Sequence, residues 1–298
     1  MKNKTTLLFP TMSLLAIPLA LAEDCGLTNL AQCIPQKLFE YFLSLINTPF
    51  QPFLALIKNL LYEAVNISVF QPLWAIIVYI ISIFYGLFLL LVGFNFIISG
   101  YSAEKREHAK EMLKNIVLMV VFVQASYFLY SLLIDLSAQL TASVFNMIDP
   151  NFFLLTADSL SSFALELVFS IVYLMSLLLC IIVLAIRYII VAIGVISFPI
   201  GIFFNFIPPL RGYGRLMIDT LIIMIFIPFF ESLVLLGASK LINIPIFQNY
   251  KILIMTCAFL IISLSMIVMA LFVMAKSAFS LLDSPLGRAG TMVAKGGL

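Results

Sequence analysis

An all-α, polytopic membrane protein is the fold class this sequence predicts, and three observations predict it. Hydrophobic residues make up 63% of the 298 and charged residues only 10%, whereas a soluble domain carries about 25% charged residues. Mean hydropathy is +1.18, more apolar surface than a water-soluble core can hide. Uncharged runs of about 20 residues, enough to cross the hydrocarbon as helix, recur along most of the chain. A single histidine and four cysteines argue against a multi-histidine metal or haem site and against a disulfide scaffold. The net charge of +2 leaves any electrostatic role to the distribution of charge.

The amino terminus reads as a processing signal. Lys2 and Lys4 precede the apolar run Leu7–Ile17, then Pro18 and Ala20-Leu21-Ala22, the pattern of a secretory signal peptide over 1–22. An uncleaved anchor or interfacial helix is the alternative. Next comes an extracytoplasmic segment, 23–73. Cys25 and Cys33 lie in it, and outside the cytoplasm they form either a disulfide or two free thiols. Between Lys37 and Gln71 the chain is apolar but broken by Pro49 and Pro52 and dotted with charge, as expected for short amphipathic helices in the outer interface.

From Trp74 the transmembrane domain, 74–275, offers runs at 74–99, 116–136, 163–186, 188–207, 216–236 and 252–275. A flexible cytoplasmic tail, 276–298, follows. The run 188–207 is the ambiguous one. Only Arg187-Tyr188 separates it from its predecessor, and it holds Gly194, Pro199 and Gly201 before Pro208-Pro209. Basic residues concentrate on the cytoplasmic side of a membrane, so charge can arbitrate. If all six runs cross, the bases divide evenly. If 188–207 is broken or re-entrant, Lys105, Arg106, Lys110, Lys114, Arg187, Arg211, Arg215, Lys276, Arg288 and Lys295 face inward, and only Lys37, Lys58, Lys240 and Lys251 face outward. The five-span topology is therefore preferred, in a multi-pass protein of the cytoplasmic membrane with its amino terminus outside and its carboxyl terminus inside.

The helix Glu104–Lys114 carries Lys105, Arg106, Lys110 and Lys114 and reads either as a solvated orientation anchor or as a docking surface. Ionisable groups within a span cost about 2.5–3.5 kcal/mol at its centre. Asp135 and Glu166 are expected near outer ends, within reach of the headgroups, and Asp219 is expected to pair with Arg215 one turn away. Glu231 follows Pro228 in the fifth run and either lines a polar path with Glu166 or sits at the outer interface. Asn95 and Gln124 are expected to hydrogen-bond between helices. Cys180 and Cys257 are expected to pack as small hydrophobes. Ser82, Gly86 and Gly93 form one small-residue face, and Gly194, Ser197 and Gly201 another. No catalytic constellation, metal-ligand spacing or cofactor motif is visible, so the chain reads as a non-enzyme with no cofactor and no metal.

Two stretches carry a resemblance. One is Leu91-Val92-Gly93-Phe94 through Gly100-Tyr101 with the helix Glu104–Lys114. The other is Arg187-Tyr188 through Ile196-Ser197-Phe198-Pro199-Ile200-Gly201 to Pro208-Pro209-Leu210-Arg211-Gly212-Tyr213-Gly214-Arg215. This pattern resembles the polytopic inner-membrane subunit of conjugation and type IV secretion machines, the TrbL family with its archaeal DNA-transfer relatives. The resemblance implies a homo-oligomeric channel or platform in the bilayer, with pilin-like chains, a cytoplasmic ATPase and DNA in transit as partners. The ATPase would meet Lys105, Arg106, Lys110, Lys114, Arg211 and Arg215. The short outer loop 137–161 departs from relatives that carry a large insertion there. A small-solute channel or transporter and a pilus-assembly scaffold are the rival readings.

Overall fold

In the computed structural model, the residues described are 50–101, 103–153 and 163–283, with 41, 44 and 48. Among them the chain is helical, with no strand. Helix α1 covers 50–62. It is followed by α2 (Gln71–Ile98), α3 (Ala103–Gln124), α4 (Ser126–Phe145), α5 (Phe163–Phe206), α6 (Arg211–Ile242) and α7 (Lys251–Asp283). Five stretches are long and apolar enough to cross a membrane: Ser68–Ile98, Ser126–Phe145, Val168–Phe206, Pro208–Ile242 and Lys251–Phe272. The chain is a multi-pass helical membrane protein.

Two boundaries expected from the sequence fall elsewhere. The run expected at 116–136 straddles the junction of α3 and α4. Ala125 keeps helical dihedrals, and its N–H and carbonyl still bond to Val121 and Leu129 at 2.9 Å each. The helix therefore runs on to Phe145, nine residues beyond the expected end at 136. The runs 163–186 and 188–207 likewise form one helix of 44 residues, α5, about 66 Å long at 1.5 Å per residue. Pro199 lies inside α5 without ending it. Arg187 does not mark a loop, because the bundle provides carbonyl partners for its guanidinium.

Helices α5, α6 and α7 form the core, with α4 against α6. Glycine lets α5 and α6 approach closely. A Cβ on Gly214 would fall 2.8 Å from the Phe204 carbonyl carbon, and one on Gly194 would fall 2.6 Å from Leu221 Cδ2. The small-residue face Gly194–Gly201 is thus consumed inside the bundle, whereas Gly86 and Gly93 on α2 meet nothing within 4 Å. Helix α1, expected in the outer interface, turns Phe50, Ile57 and Leu61 into the core, where Phe50 packs on Tyr173 of α5 with ring centroids 5.2 Å apart.

Candidate functional site: a charged centre and a basic end

Proline creates the central site. Pro228 has no N–H, so the carbonyl four residues earlier, that of Met224, loses its helical donor. Arg187 Nε donates to that carbonyl at 3.0 Å. At the next residue, the Ile225 carbonyl accepts from Ser137 Oγ of α4 at 2.6 Å. Arg187 NH1 donates at 3.2 Å to the carbonyl of Leu60, one of the last carbonyls of α1 and without an onward helical donor. A cation at a helix carboxyl end is also favoured by the helix dipole. One buried guanidinium therefore ties α1, α5 and α6 together at the midpoint of the apolar stretch Val168–Phe206.

Glu231 supplies the countercharge. It is 2% exposed, and its charge attracts that of Arg187. The two do not close to a hydrogen bond: both carboxylate oxygens are buried without a partner among the described residues. Cys180 of α5 is buried nearby, and Tyr130 of α4 donates its hydroxyl to the Val191 carbonyl at 2.7 Å. Glu231 thus lies inside the bundle, away from the outer interface where the sequence allowed it. The Glu166 side chain, with Cys25 and Cys33, lies outside the described residues. Cys257 is exposed while Cys180 is buried, so only one of the two packs as expected.

The second site is an end of the molecule. Lys105, Arg106, Lys110 and Lys114 are exposed on α3, and Arg211 and Arg215 are exposed at the start of α6. A groove of about 220 Å³ joins the two segments, lined by Phe88, Leu91 and Val92 of α2, Met112, Asn115, Ile116 and Met119 of α3, and Phe206–Pro208 with Arg211. Arg211 Nε donates to the Asn205 carbonyl at 3.2 Å, and Arg106 donates to the Gly100 carbonyl at 3.3 Å. Asn95 reaches Met112 Sδ at 3.6 Å between α2 and α3, the interhelical contact expected of it. Asp219 pairs with Lys276 of α7 at 3.5 Å instead of with Arg215, because the α7 end comes alongside the start of α6.

Sequence reasoning missed Arg187 as a site residue. The available signal was the pairing of one arginine between two apolar runs with a proline–glutamate step in the next span. Fold and sites together define a polytopic membrane protein with a compensated charge at its centre and a basic face at one end. Comparison with protein-family models, with curated proteins and with solved structures gives no match.

Proposed function

We propose that this chain is a membrane channel or platform subunit of a type IV secretion or conjugation-like machine, moving DNA or protein across the cytoplasmic membrane. The observation that carries the reading is a juxtaposition. The two stretches that resemble the TrbL family, 91–114 and 187–215, meet in the groove that Leu91, Met112 and Arg211 line. Six of the seven basic residues they supply, all but the buried Arg187, stand exposed, and Arg211 lines the groove itself. A clustered basic surface at the cytoplasmic boundary suits an acidic partner face or a nucleic-acid backbone. On this reading the basic end faces the cytoplasm, energy comes from a partner ATPase, and the chain performs no chemistry of its own.

Tagging the carboxyl terminus, crosslinking in native membranes and identifying the copurifying chains tests this. A transfer ATPase and pilin-like chains are expected. Charge-neutral replacements of Lys105, Arg106, Lys110 and Lys114 should release the ATPase while the protein still reaches the membrane. A homo-oligomer lacking those partners, from cells that make the machine, would contradict the proposal.

A further inference from the structure

The groove at the basic end changes character along its length. Phe206 closes the apolar stretch Val168–Phe206, Pro208 opens the stretch Pro208–Ile242, and both residues line the groove. On α3 the run of charge stops at Lys114, and no charged residue follows until Asp135. Asn115, Ile116 and Met119, the next lining residues of that helix, carry the wall into uncharged chain. The α2 wall belongs to the span Ser68–Ile98, and Leu91 within it is exposed. The boundary between charged surface and hydrocarbon therefore crosses this groove.

Arg211 is the charged member of the lining, and no carboxylate joins it among the described residues. The Asn205 carbonyl takes its Nε–H, which holds the guanidinium by one edge and leaves both Nη groups for a ligand. A planar fork of N–H donors fits two phosphate oxygens at once. Lys114 precedes Asn115 directly and Arg215 follows Arg211 by one turn, both exposed. The acids nearby do not cancel this charge. Glu104, Glu107 and Glu111 all precede Met112, the first α3 residue in the lining, and Asp219 is paired with Lys276 at 3.5 Å.

A ligand that satisfies both halves is an amphiphile with an anionic head and a hydrocarbon tail. A nucleic acid or an acidic protein surface answers the charge but leaves the apolar walls unfilled. A neutral lipid fills the walls but brings Arg211 no net negative charge. Basic pockets between transmembrane helices are known to take anionic head groups. We infer that this groove holds an anionic phospholipid of the leaflet at the basic end, with its phosphate on the Arg211 guanidinium and an acyl chain along Phe88, Leu91 and Met119. Lys105, Arg106 and Lys110 are no part of this site, so the inference goes beyond the partner-docking role proposed above and does not rest on it.

The test titrates the full chain, purified in a mild detergent, with phosphatidylglycerol or phosphatidylcholine of identical chains. Native mass spectrometry counts the lipid-bound protein. One phosphatidylglycerol should bind about fivefold more tightly than phosphatidylcholine, the worth of a basic residue at an anionic head group, about 1 kcal/mol. Arg211→Gln should erase that preference and Arg211→Lys should keep part of it. Lys58→Gln, at a cation that lines a separate cavity with Phe145, should leave it intact. Leu91→Trp, which puts a ring into the groove from an exposed position, should weaken binding of both lipids. Glycerophosphoglycerol, the head group without chains, should not compete. Equal binding of the two lipids, or a preference that survives Arg211→Gln in a monodisperse chain, would overturn the inference. So would parent-like binding by Leu91→Trp or full competition by glycerophosphoglycerol, since either would take the acyl chain out of the groove.

Discussion

Two charged regions of the molecule, the Arg187–Glu231 centre and the basic end, are treated oppositely. Arg187 and Glu231 are inside, held by backbone carbonyls that a proline and a helix end leave without donors. Lys105, Arg106, Lys110, Lys114, Arg211 and Arg215 are exposed on the surface. The interior pair is compensated within the chain and so belongs to folding. The basic end stands open to a partner, the role the proposed function gives it. An ionisable residue within a span is therefore not by itself a substrate site; what matters is whether its partner is present in the same chain.

The largest effect should come from breaking the interior pair on one side. Arg187→Met leaves Glu231 buried without its countercharge and two carbonyls without donors, a loss of about 3–5 kcal/mol. The fraction of monodisperse protein on size-exclusion chromatography should collapse. Arg187→Met combined with Glu231→Leu should recover most of it, since replacing a whole buried pair by apolar groups of similar volume is often neutral.

Next in size is the close packing of α5 on α6. Gly214→Leu drives a side chain into the backbone of Asn205 and Phe204 and should cost about 1–3 kcal/mol or more, read as a lowered melting temperature in detergent. Gly86→Leu, on the open glycine face of α2, should stay within about 0.5 kcal/mol of the parent. A smaller loss is expected for Ser137→Ala, which removes the 2.6 Å bond to the Ile225 carbonyl, a typical contribution of about 0.5–1.5 kcal/mol.

The smallest effect on stability should come from the basic end. Lys105→Gln with Lys110→Gln changes exposed groups and should shift stability by about 0.5 kcal/mol at most, while weakening capture of the partner ATPase. That separation of stability from association is the sharpest form of the contrast.

Much of the fold could be read from the sequence because long uncharged runs leave few alternatives. The five crossing helices follow from length and hydropathy alone, and the grouping of Lys105–Lys114 with Arg211 and Arg215 follows from the preference of bases for one face. What could not be read is how partners in space override local punctuation. Arg187 looked like a loop marker because its acceptors, Met224 and Leu60, lie 37 and 127 positions away. Pro199 looked like a break, although a helix packed on both sides can carry one. The helix that holds Asp135 is expected from the sequence to end at 136, whereas it continues through a polar segment to Phe145. In each case the missing information was a long-range contact.

The most direct measurement compares thermal melting of three purified chains with that of the parent: Arg187→Met, Arg187→Met with Glu231→Leu, and Lys105→Gln with Lys110→Gln. The division into a buried pair that serves folding and an exposed basic end that serves recognition predicts a steep loss for the first, recovery in the second and a parent-like melt for the third. A stable Arg187→Met chain beside an unstable Lys105→Gln, Lys110→Gln chain would contradict it.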